Sequence, residues 1–78
     1  MKTMIENSEK LTELLKILKE ETDWQPYMAD IWDIKGSVKL QGYYSEQICE
    51  YLSNNGYERA NGRFVEYNNS EGVVVILT

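Results

Sequence analysis

The chain has no histidine, one cysteine and one proline. Without imidazole it lacks the side chain that most often serves as general base or metal ligand near neutral pH, so the usual routes to catalysis are closed and a noncatalytic role is expected. Cys49 has no second cysteine with which to form a disulfide, which points to a reducing, cytoplasmic setting. It also has no histidine to draw off its proton, and its position beside Ile48 and Leu52 reads as that of a small buried hydrophobe. Long apolar runs are missing too. The longest, Val73 to Leu77, is far too short to cross a bilayer, and the N-terminal MKTMIENSEKLTELL carries acids and lysines where a secretory signal needs an apolar stretch. Bases are scarce: eight Lys and Arg against thirteen Asp and Glu leave a net charge of −5, which opposes the counterion release that drives nonspecific nucleic-acid binding.

What remains is the composition of a folded protein. Hydrophobic residues make up 42% of the 78 positions and charged residues 27%, enough apolar surface for one core and too little chain for two, so residues 1–78 read as a single domain.

Leu11, Leu14, Leu15 and Leu18, widened by Ile17, recur at the spacing of one helical stripe and predict a helix over 8–21. Ser8 is one candidate N-cap; Thr3 with Glu6 has the spacing of a capping box and would start the helix a turn earlier, with Met4 on the same stripe. Thr22, Asp23 and Pro26 end it. After a loop, positions 32–41 alternate strictly: Trp32, Ile34, Gly36, Val38 and Leu40 against Asp33, Lys35, Ser37, Lys39 and Gln41, which predicts a strand. Gly36 in its middle marks a bulge or a turn that splits it into a hairpin.

Ser45 then offers an N-cap to a second helix over 46–54, with Ile48, Tyr51 and Leu52 on its apolar side, Glu46 at its positive end, and Asn55-Gly56 to close it with Tyr57 folded back. Asn61-Gly62 between 57–60 and 63–67 is the signal of a hairpin with a two-residue type I′ turn. A looser turn at 68–72 leads to 73–77, whose β-branched run reads as a strand covered on both faces. The fold class is therefore α+β, two helices on one face of a small, mostly antiparallel sheet in the order α-β-α-β-β-β; a winged-helix-like arrangement is the alternative. Two helices cover only one sheet face, so a second copy, the 23–31 loop or a partner is expected on the other.

Six tyrosines, two tryptophans and one phenylalanine exceed the needs of so small a core. Trp24, Tyr27, Tyr43 and Tyr44 lie in or beside loops, where they either cover the ends of the core or anchor an interface. The acids Glu20, Glu21, Asp23, Asp30 and Asp33 are solvated surface or the contact to a basic partner. Asp30 and Asp33, as a bare carboxylate pair, make neither an acid–base site nor a metal site, and no cofactor is implied. Lys35, Lys39, Arg59 and Arg63 would form a local basic patch, the basis of an alternative reading as a small nucleic-acid-binding domain.

From Ser45 to Thr78, a helix ending in Asn-Asn-Gly-Tyr and three short strands with Asn61-Gly62-Arg63-Phe64 at the first turn, the chain resembles the small HicA-type mRNA-cleaving toxins. Those toxins follow a glycine-containing turn with a catalytic histidine, which this chain lacks, so the resemblance implies no activity. In size and acidity the chain resembles anti-CRISPR and other phage inhibitors, which implies a protein encoded by a phage or mobile element. The expected function is that of a small acidic inhibitor or regulator, a protein-binding module that occupies a basic surface of its partner.

Overall fold

A computed structural model describes residues 4–31 and 37–78, the side chains of Met4, Ile5 and Asn7 excepted. The first helix, α1, spans Met4–Thr22. It begins before Ser8, as the earlier of the two starts requires; Thr3, the cap for that start, lies outside the described residues. Its stripe delivers Leu18, fully buried, to the core, with Leu11, Leu14 and Leu15 packed against it. The end is built from short-range chemistry. The Thr22 hydroxyl donates to the Leu18 carbonyl at 2.6 Å, and Asp23, left-handed at φ 55°, donates its amide to the Lys19 carbonyl at 3.0 Å. The second helix, α2, spans Glu46–Asn54 as its caps dictate. Ser45 Oγ accepts from the Ile48 amide at 3.2 Å, and beyond Asn55 the chain turns through Gly56 at φ 84°, so that the Tyr57 amide donates to the Leu52 carbonyl at 3.1 Å.

Among the described residues five strands form one mixed sheet: β1 (Met28–Ile31), β2 (Val38–Gly42), β3 (Glu58–Ala60), β4 (Val65–Asn68) and β5 (Val73–Leu77), ordered β1-β2-β5-β4-β3. β2 and β5 run parallel; the other neighbours are antiparallel. The order along the chain is thus α-β-β-α-β-β-β, with a strand in the segment expected to be loop. Met28–Ile31 does not fold over the sheet face but joins its edge. Ile31 lies opposite Val38, which a straight strand over 32–41 does not permit; residues 32–36, with Trp32, Asp33, Ile34, Lys35 and Gly36, lie outside the described residues. The rest of that prediction holds: Val38 and Leu40 are buried, Lys39 and Gln41 half-exposed. Two helices are present among the described residues, where a winged helix has three.

The β3–β4 hairpin is where local preference loses. A two-residue Asn61-Gly62 turn would set Ala60 opposite Arg63, but Ala60 pairs with Glu66, and neither Asn61 nor Gly62 has positive φ. The register is moved by three residues, an odd number, so the two faces of the hairpin exchange. The shift puts Arg59, not Glu58 and Ala60, on the face of Tyr67. β4 is fixed on its other side by β5, with Val65 opposite Leu77 and Tyr67 opposite Val75, and Tyr67 is buried in the core.

The two helices and the segment after α1 cover one face of the sheet. Leu18, Trp24, Ile48 and Leu52 meet Val38, Leu40, Tyr67, Val73, Val75 and Leu77 in a single core. Gly42 sits where the Trp24 indole crosses the end of β2; a Cβ there would come within 2.4 Å of Trp24 Cζ2 and 3.1 Å of the Pro26 backbone. The other face carries two rows in register. One is Met28, Gln41, Ile76, Glu66 and Ala60; the other is Asp30, Lys39, Val74, Asn68 and Glu58. No helix among the described residues covers these rows, and Val74 and Ile76 are half-exposed, so β5 is enclosed on one side and more open on the other.

Candidate functional site

At the open-face end of β1 and β2, two tyrosines stand together. Tyr43 follows β2, two residues beyond Gln41 and so on the same side of the strand; Tyr27 precedes β1. Their ring centroids are 5.0 Å apart with the planes tilted by 54°, a favourable aromatic geometry, yet Tyr27 is 46% and Tyr43 73% exposed. Beside them Met28 is 58% exposed.

The pair is held by the end of the sheet. The Tyr27 amide donates to the Gln41 carbonyl at 2.9 Å, and Gln41 Nε2 donates to the Tyr27 hydroxyl at 2.8 Å. That hydroxyl shares a 3.1 Å hydrogen bond with Thr78 Oγ1, and the Thr78 amide is fixed on the Gly42 carbonyl at 2.9 Å. Tyr43 is held through its backbone, whose carbonyl accepts from the Trp24 indole at 2.8 Å. An exposed aromatic whose polar tip is hydrogen-bonded in place, as that of Tyr27 is, loses little entropy when it is covered, which is the property of interface anchors. Next to them a shallow hollow of about 70 Å³ is lined by Met28, Ala29, Asp30, Lys39 and Gln41.

The predicted site residues divide. Tyr27, Tyr43 and Tyr44 are exposed, Tyr44 by 52%, whereas Trp24 is 6% exposed and belongs to the core, where the missing side chain of Gly42 makes room for it. Tyr44 lies at the start of α2, and the electrostatic effect of the Cys49 sulfur first, with its hydrogen-bonding second, pushes its phenol above the ordinary tyrosine range. Asp30 is exposed on the open face. Glu20, Glu21 and Asp23 are exposed at the end of α1, on a different element. Asp23 is engaged by Lys19 at 2.6 Å, and that hydrogen bond first, with the attraction of the ammonium second, holds its carboxyl below the usual range. Asp33 lies outside the described residues.

Among the bases, Lys39 faces the open side from β2, while Arg59 pairs with Tyr67 and so takes the covered side of β3 at the far edge, three strands away, or about 14 Å. Arg63 is exposed in the β3–β4 turn, and Lys35 lies outside the described residues. The structure does not gather Lys39, Arg59 and Arg63 into one patch. Among the described residues no group of His, Cys, Asp and Glu is placed to hold a metal, and no helix is long and apolar enough to cross a membrane.

Sequence reasoning missed Met28, Gln41, Thr78 and the exposed Phe64. Met28 had no signal, because its segment, Met-Ala-Asp-Ile, shows no alternation; Gln41 and Thr78 matter only through a contact between distant parts of the chain. Compared with known protein families, with characterised proteins and with solved structures, the chain matches none of them.

Proposed function

We propose that this chain is a noncatalytic protein-binding module, a small inhibitor or regulator that works by covering a basic surface of its partner. The observation that carries the reading is the exposed Tyr27–Tyr43 pair, Tyr27 held by Gln41 and Thr78, with Met28 and Asp30 beside it on a molecule of net charge −5. Aromatic and methionine anchors supply binding energy, and surrounding negative charge steers a basic partner and rejects acidic ones. Asp30, Glu58 and Glu66 set the sign of the open face, against Lys39. Glu20, Glu21 and Asp23 add to the long-range field.

The test is affinity capture by the wild-type chain beside a Tyr27→Ala, Tyr43→Ala double variant, with the bound protein identified and its affinity measured at rising salt. The reading expects a partner lost on the double substitution, with affinity falling as salt rises. A partner that ignores both changes overturns it, and capture of nucleic acid through Lys39, Arg59 or Arg63 would replace it.

A further inference from the structure

We propose that β1 takes up an extended, basic segment of the partner as a further strand at the sheet edge; this rests on the protein-binding reading above and gives it a mode. β1 has β2 as its one neighbour among the described residues, so on its outer side alternate amides and carbonyls lie along the edge of the sheet.

The opposite edge is different. β3 is three residues long and reads Glu-Arg-Ala, with a charge of each sign in an edge too short to template a partner. β1 reads Met-Ala-Asp-Ile, with no lysine, arginine or proline to blunt it, and its first three residues are exposed. Strand addition draws affinity from the main chain and selectivity from pockets for alternate side chains. Both are present here: the edge itself, and beside it the Tyr27–Tyr43 pair and the hollow bordered by Met28 and Asp30.

Charge and register select the occupant. A second copy pairing antiparallel through β1, with each sheet face continuous, has three registers centred within the exposed part of the strand. Centring on Asp30 sets two carboxylates opposite each other, which is destabilising; centring on Ala29 sets each Met28 against an Asp30; centring on Met28 sets the two methionines together but brings Pro26, which has no amide to donate, opposite Asp30. Every register also brings together two molecules of charge −5. A foreign strand with a lysine or arginine opposite Asp30 and an apolar residue opposite Met28 meets none of these penalties. The occupant is therefore an extended segment of a basic protein in which cations alternate with β-branched or aromatic residues.

The experiment pans a display library of short random peptides against the full chain at low salt and characterises those enriched. Expected are peptides alternating lysine or arginine with β-branched or aromatic residues, and hydrogen-exchange protection gained at Met28–Ile31 on binding. N-methylation should abolish binding at one alternate set of peptide amides and spare the other. Asp30→Lys should weaken the basic peptides on the order of tenfold. A helical consensus, indifference to N-methylation, or protection at β3 instead of β1 overturns strand addition. So does protection of β1 without peptide that grows with protein concentration, which assigns the edge to a second copy. A captured partner lost on Tyr27→Ala with Tyr43→Ala but indifferent to Asp30→Lys sinks the β1 mode while the protein-binding reading stands; absence of both peptide and protein binding sinks both.

Discussion

Val75 and Ile76 are neighbours in the chain and alike in chemistry, yet they live in different surroundings. Val75, between Leu40 and Tyr67 in register, is fully buried beneath the helices, whereas Ile76, between Gln41 and Glu66, looks out from the open face. The same contrast runs through the sheet. On the covered face the central side chains of β2, β4 and β5 are packed by partners from several elements, so their identity is a matter of stability. On the open face apolar, acidic, amide and lysine side chains stand with no helix of the described residues over them, so their identity is free to serve contact with another molecule.

The contrast is broken most directly by removing a covered side chain. Leu40→Ala empties a fully buried position in β2 and should lower unfolding free energy by about 2–5 kcal/mol in urea denaturation, with little change in slope. Gly42→Ala tests the same face by overfilling it. Its Cβ has the Trp24 ring at 2.4 Å and backbone close behind, so a loss of about 1–3 kcal/mol is expected in the same assay.

Tyr57, half-buried beyond α2, has its phenol pushed up from 10.0 to about 12, by burial first and then by Tyr51 and Glu71. The folded chain holds this proton more tightly than the unfolded one, so its stabilising effect is complete below pH 10 and is lost as pH rises towards 12. Alkaline denaturation followed by circular dichroism should show that loss in the wild type and a shallower one in Tyr57→Phe. The smallest effect belongs to the open face. Ile76→Thr keeps a β-branched residue and should cost no more than about 1 kcal/mol; a loss as large as that of Leu40→Ala would erase the distinction between the faces.

How much of this was legible depends on where the deciding interaction sits. α2 could be read to the residue because Ser45, Glu46, Gly56 and Tyr57 act within a turn of the helix they bound. β1 could not, because nothing in Met-Ala-Asp-Ile announces a strand and only pairing with β2 makes it one. The Asn61-Gly62 turn was misread because the strands pair across a longer connection, with Ala60 opposite Glu66, and a two-residue preference did not set the register. The site divides in the same way. The places of Trp24, Tyr27, Tyr43 and Tyr44 beside loops left core cover and exposure equally open, and the structure divides them. The burial of Trp24 required knowing that Gly42, far along the chain, leaves room for an indole.

The parallel ladder between β2 and β5 bears on how the chain is made. Within the sheet the β1–β2 pair and the β3–β4 hairpin share no border; each borders only β5, which follows both in the chain. During synthesis neither pair can dock on the other, and the helices have no finished surface to lie on until the last strand slides between the two halves. Assembly is therefore expected to be a late, single event with a long-range closure as its slow step, not a stepwise growth from the N-terminus.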